Sequence, residues 1–194
     1  MAANEAWERR MARTETPAAQ MGARAPDFSL PDPGGRLWTL ADCRGPRGTL
    51  VMFICNHCPF VQASLERLVK DCRELLALGV NSVAIMPNDL ETYPQDGPEA
   101  MARLAREMAL PFPYLLDETQ EVARAYGAVC TPDLFGYNAA LELQYRGRID
   151  AGTPGKPAPD GPRELFEAMR LVAATGKGPV EQLPSVGCSI KWRA

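Results

Sequence analysis

Histidine is nearly absent: one residue in 194, at position 57. A second ligand pair of His-x-x-x-His or Cys-x-x-Cys spacing is missing too, which argues against a conventional two-pair zinc site. No run approaches the ~20 apolar residues of a spanning helix. Met1 to Gln20 carries Glu5, Glu8, Arg9, Arg10, Arg13 and Glu15 and lacks an apolar h-region, so no signal peptide is expected and the default compartment is the cytoplasm. A net charge of −3 gives no reason to expect a nucleic acid or an anionic membrane as partner. Internal repeats, low-complexity segments and dividing linkers are also lacking, so one domain is expected.

Cysteine, by contrast, is present six times. In a cytoplasmic chain a lone Cys-x-x-Cys is more often catalytic or metal-binding than structural. The pair here is Cys55-Asn56-His57-Cys58, and it brackets the histidine. Thr49 to Ile54 before it is a continuous apolar run, the pattern of a strand covered on both faces. After it, Val61, Leu65, Leu68, Val69, Cys72, Leu75 and Leu76 recur at spacings of three and four, opposite Glu66, Arg67, Lys70, Arg73 and Glu74. That is an amphipathic helix capped by Gly79, with Cys72 an inert core thiol on its apolar stripe.

Around this unit, Residues 1–21 read as a flexible arm and Ala25 to Leu40 as a hairpin turning at Pro31–Gly35. Ala41 to Gly48 reads as a loop, Val80 to Met86 as a second buried strand, and Asp96 as the cap of a helix with Pro98 in its first turn. Tyr114–Leu116 is a short strand. Asp117 and Gln120 stand at capping-box spacing before a helix ending at Gly127. Leu134–Tyr137 and Leu141–Tyr145 form a second hairpin, and residues 163–175 a last helix with Leu165, Phe166, Met169, Leu171 and Val172 as core candidates. The tail 176–194 holds Cys188, with Ile190 and Trp192 as anchors packing it onto the domain.

Thiol–disulfide exchange needs a thiolate and a second thiol close enough to resolve the mixed disulfide. Cys55 at the mouth of a helix is expected to be the attacking thiol, favoured by the first-turn dipole and by His57, and Cys58 the resolving thiol one turn on. An unperturbed thiol of pKa ~8.5 is only about 3% ionised at pH 7; lowering it by ~2 units stabilises the reduced form by ~0.8 kcal/mol, or roughly 20 mV. A histidine can thus speed the nucleophile without making the protein a strong oxidant. The alternative is a zinc site of Cys55, His57 and Cys58 with Cys130 or Cys188 as fourth ligand.

With Cys55-Asn56-His57-Cys58 after a buried strand, Thr131-Pro132 before a hairpin and Ala25-Pro26-Asp27-Phe28 at the entry, residues 22–175 resemble the thioredoxin-like superfamily, in its peroxiredoxin-like or redoxin (AhpC/TSA-type) branch. The resemblance implies an α/β thioredoxin-like fold: a mixed central sheet flanked by helices, with an N-terminal hairpin extension. It implies Pro132 as a cis-proline facing the cysteines, and Thr131 with Asn56 as the place where an extended substrate segment binds. Cys130 and Cys188 are then possible accessory thiols. Two departures stand out. Thioredoxins carry a buried aspartate where this chain has Thr49, so proton handling falls to His57, water, or a carboxylate such as Asp89 or Glu91. Peroxiredoxins need Pro-x-x-x-Thr-x-x-Cys, which neither Cys55 nor Cys58 satisfies.

The reading is a thiol–disulfide oxidoreductase cycling Cys55 and Cys58, with a role in redox homeostasis and antioxidant defence. No cofactor or metal is expected. Its expected partners are protein dithiols or disulfides, or a thioredoxin-type reductant. A thiol peroxidase and a redox-sensing or zinc-binding interaction module are the alternatives. Oligomeric state is left open.

Overall fold

The computed structural model describes residues 13–156, 158 and 160–193. The central sheet runs in the order β6-β5-β4-β8-β9, with β4 (Gly48–Phe53), β5 (Val80–Met86), β6 (Tyr114–Leu116), β8 (Asp133–Asn138) and β9 (Leu143–Tyr145). β4, β5 and β6 are parallel, while β8 runs antiparallel to β4 and β9 antiparallel to β8. The sheet is therefore mixed.

The apolar run of β4 is explained by its two covered faces. Leu50, Met52 and Ile54 pack beneath α2 (Pro59–Ala77) and α5 (Glu164–Thr175), in a cluster with Leu68, Leu75, Leu165 and Met169. Val51 and Phe53 alternate to the other side, against Phe28, Leu30, Tyr126 and Phe135. There Phe53, Tyr126 and Phe135 meet edge to face with centroids 5.5–5.8 Å apart. α3 (Pro98–Glu107) and α4 (Glu121–Tyr126) complete the layers. No helix among the described residues is long and apolar enough to cross a membrane.

The entry hairpin forms from β2 (Ser29–Pro31) and β3 (Leu37–Thr39). The segment after it is not wholly loop: Leu40–Cys43 makes one helical turn, α1, because Thr39 and Asp42 cap each other reciprocally at 3.2 and 2.8 Å. Asp117 and Gln120 form no capping box; Asp117 instead accepts the Ala123 amide at 2.7 Å, and Gln120 adopts a left-handed φ of 64°. Leu171 lies on the outer face of α5.

A second, smaller sheet joins the two ends of the chain. β1 (Arg13–Glu15) pairs with β10 (Val186–Ser189), which pairs with β7 (Cys130–Thr131), all antiparallel. Most of the expected flexible arm, residues 1–12, lies outside the described residues; the part from Arg13 is a strand held by the tail. The tail itself is docked through buried Ile190, whereas Trp192 lies at the surface beneath the Arg124 guanidinium, 4.3 Å away.

Candidate active site

Past Phe53, the chain continues the sheet for one more residue, as the Ile54 amide donates to the Ile85 carbonyl at 3.0 Å. It then turns through Cys55–His57 and enters α2. Pro59 opens that helix because its missing N–H would be unpaired there anyway, and it keeps Cys58 extended at φ −69°, ψ 119°. The N-cap of α2 is thus Cys58. The expectation that Cys55 occupies the helix mouth, with Cys58 a turn deeper, is corrected: Cys58 is the residue at the helix mouth, with no side-chain capping bond, and Cys55 lies between strand and helix.

Both sulfurs face Thr131, whose bond to Pro132 is cis. Cys55 Sγ lies 3.3 Å from Thr131 Oγ1, and a protonated Cys58 donates to the Thr131 carbonyl at 3.0 Å. A third sulfur completes the group, since Cys58 Sγ and Cys188 Sγ are 3.0 Å apart. Cys55 and Cys58 are fully buried and Cys188 nearly so. Hydrogen bonding with Cys188, and then with Cys55, holds the Cys58 thiol below the ordinary range, against its burial. Cys55 is shifted the other way by its bond to Cys58, by burial and by the nearby Asp96 charge. The two thiols are thus shifted in opposite directions.

Sequence periodicity gave Asp96 to a helix cap, but the cap of α3 is Gly97. Asp96 instead lies fully buried, just ahead of α3, and grips the cysteine loop. It accepts the amides of Asn56 and His57 at 2.9 and 3.2 Å and the Asn88 side-chain amide at 2.9 Å. Its other contact is His57 Nδ1 at 2.6 Å. That bond places a proton on Nδ1, since a carboxylate oxygen only accepts, and Nε2 is buried without a partner among the described residues. The ring is stacked on Tyr93, centroids 5.1 Å apart. Asp89 and Glu91, the carboxylates considered beforehand, do not serve this site: Asp89 caps its own turn at Thr92 and pairs with Arg193.

The Cys55 sulfur, a ring nitrogen of His57 and an Asp96 oxygen lie within 4.8 Å of one another. These are three donors of the kind zinc takes, in a set different from the one spacing suggested. A metal there would compete with the hydrogen bonds that Asp96 already accepts.

The other expected site residues divide. Asn56 was a substrate-binding candidate, but its amide is spent inside the loop, donating to the Gln95 carbonyl at 3.3 Å and accepting from Tyr114 at 3.1 Å. Cys130 is buried, its thiol is pushed up by that burial, and it donates to the Pro132 carbonyl at 3.5 Å, outside the sulfur cluster. At Thr131 the backbone edge is already occupied, because β10 pairs there with Cys188 opposite Thr131.

The model of the AhpC/TSA family matches residues 21–151. The chain belongs to the AhpC/TSA family. Its fold is the thioredoxin-like one, and its relatives include proteins named as a "Putative peroxiredoxin" and a thiol–disulfide oxidoreductase. "Putative peroxiredoxin MT2597" from Mycobacterium tuberculosis is 30% identical over 63% of this AhpC/TSA chain and 73% of its own length. The thiol-disulfide oxidoreductase ResA of Geobacillus thermodenitrificans is 29% identical over 63% and 66% respectively. An uncharacterized conserved protein from Geobacillus kaustophilus, known by crystal structure, is 42% identical with a TM-score of 0.89, covering 94% of this chain and 97% of that one.

Proposed function

We propose that this AhpC/TSA protein is a thiol–disulfide oxidoreductase whose redox couple is Cys55 and Cys58, acting on protein dithiols or disulfides. The supporting observation is the grouping of both sulfurs against Thr131 at a strand-to-helix junction, with Cys58 as the helix N-cap.

The chemistry follows from the two environments. Cys58 is the thiol favoured as an anion, so it attacks the substrate disulfide; that S–S bond breaks, one substrate sulfur leaves as thiolate, and a mixed disulfide forms on Cys58. Cys55 must then lose its proton, which its surroundings resist. His57, oriented by Asp96 and with a ring nitrogen within 4.8 Å of the Cys55 sulfur, is the base assigned to it in this scheme. The Cys55 thiolate attacks the Cys58 sulfur, releases the second substrate thiol and closes the Cys55–Cys58 disulfide. Two electrons have passed to the substrate, and an external dithiol of the thioredoxin type restores the pair.

This reverses the order of attack that spacing alone suggests. Trapping decides it: in a Cys188→Ala background, which removes the sulfur 3.0 Å from Cys58, Cys55→Ser should accumulate a mixed disulfide on Cys58 with a model disulfide, while Cys58→Ser should not. Adducts on Cys55 in the Cys58→Ser variant, at a rate equal to wild-type turnover, would overturn the assignment.

The name of the Mycobacterium relative supports a second reading, hydroperoxide reduction by the Cys58 thiolate with Cys55 resolving the sulfenate. Insulin reduction measured beside hydroperoxide consumption separates the two.

A further inference from the structure

The mechanism above uses two of the three clustered sulfurs. The third belongs to β10, and its placement is held from several directions. The Ile190 amide donates to the Val129 carbonyl at 3.0 Å, and Ser185 Oγ to the Pro132 carbonyl at 2.7 Å. Beyond the strand, the Lys191 carbonyl accepts from the Asp89 amide at 2.9 Å and from Gln120 Nε2 at 2.8 Å. Gly187 lets the strand approach so closely: a Cβ there would lie 2.1 Å from the Thr131 carbonyl oxygen. The tail therefore occupies the backbone edge at Thr131, pairing there by strand addition as an extended segment. It brings a cysteine to that edge, 3.0 Å from Cys58.

We propose that Cys188 is a third redox thiol, an internal substrate that takes the disulfide over from the Cys55–Cys58 pair and locks the tail across the site. This deepens the proposed function and rests on it. In the step, the Cys188 thiolate attacks the Cys58 sulfur of the Cys55–Cys58 disulfide. The Cys58–Cys188 bond forms, the Cys55–Cys58 bond breaks, and Cys55 leaves as thiolate to take up the proton that Cys188 gave up. The exchange is electron-neutral within the chain, so no oxidant beyond the one that formed the first disulfide is required. Cys130 is excluded from the relay, since its thiol is directed to the Pro132 carbonyl. Reduction of Cys58–Cys188 removes the covalent lock and leaves β10 held by hydrogen bonds and packing alone, the state seen in the structure, where both cysteines are free.

Peptide mapping under non-reducing conditions tests this on the full chain. Trypsin leaves Cys55 and Cys58 together in the peptide Gly48–Arg67 and Cys188 in Gly178–Lys191. After mild oxidation, blocking of free thiols in acid and digestion, wild type should yield the two peptides cross-linked, beside an internally bridged Gly48–Arg67. Cys55→Ser should give the cross-link as its main product, and Cys188→Ala only the internal bridge. If wild type gives only the internal bridge and Cys55→Ser leaves Cys58 and Cys188 free, the relay is refuted while the Cys55–Cys58 couple stands. If Cys188→Ala forms no internal bridge although its circular dichroism and melting curve match wild type, the couple itself is refuted.

Discussion

Replacing Gly187 with alanine probes how far the tail controls the cysteines. The added methyl would lie 2.1 Å from the Thr131 oxygen, 2.6 Å from its carbonyl carbon and 3.1 Å from the Pro132 nitrogen, all of them backbone atoms. Ordinary contact begins near 3.4 Å, so β10 must retreat by roughly 1.3 Å. That stretches the Ile190–Val129 bond of 3.0 Å and the Ser185–Pro132 bond of 2.7 Å beyond useful range. At about 1 kcal/mol net for each, docking weakens by about 2 kcal/mol, an increase of about thirty-fold in the undocked population. Cys188 lies on the tail and Cys58 lies 3.0 Å beneath it, both buried in the docked state, so their iodoacetamide labelling, and that of neighbouring Cys55, should speed by a similar factor. Cys72 in the α2 core is the internal control, because tail release leaves it buried. Peptide-resolved mass spectrometry reads all four sites at once. Labelling of the three site cysteines at the wild-type rate, or a parallel rise at Cys72, would refute the reasoning.

Asp96→Asn should split two readouts. Cys55 labelling shifts to lower pH, since the carboxylate charge that opposes its ionisation is gone, while insulin reduction falls about a hundred-fold because His57 is no longer oriented as a base. A role confined to holding the loop would leave the labelling profile in place. Arg146→Met strands Asp133, a fully buried carboxylate held by Arg146 at 2.9 and 3.2 Å, and should cost about 3–5 kcal/mol in urea unfolding. The alkaline limb of stability has its own cause: burial pushes the Cys43 and Cys72 thiols up to about 12. The unfolded chain loses these protons near pH 8.5 and the folded chain keeps them. Stability is thus full below that pH and falls toward pH 12, by about 1.4 kcal/mol per unit per thiol. Urea midpoints should decline above about pH 9, less steeply in Cys72→Val; a flat profile would contradict the burial argument.

What the chain shows by itself is whatever depends on neighbours a few residues away. The unbroken apolar run before Cys55 places β4 at the centre of a sheet covered on both sides, and the three-four spacing from Val61 to Leu76 places α2 directly after the cysteines. Cys55-Asn56-His57-Cys58 at their junction is the pattern on which the proposed thiol–disulfide exchange rests. Hairpins and strands with clear periodicity form as expected, while Leu40–Cys43 was missed because one helical turn has no period to detect.

Tertiary structure decided everything that joins distant segments. Asp96 stands at a spacing that suits a helix cap, and no local pattern tells that its carboxylate reaches back to His57 instead. Which cysteine takes the helix mouth hinged on Pro59 starting the helix one residue after Cys58, and only folding brings Cys188 within 3.0 Å of that sulfur. The pairing of Arg13–Glu15 with Val186–Ser189 is equally unreadable in either segment alone, because strand addition satisfies backbone groups that every sequence carries. A cysteine's reactivity belongs to the charges and hydrogen bonds that folding gathers around it, and here those come from four separate stretches of chain.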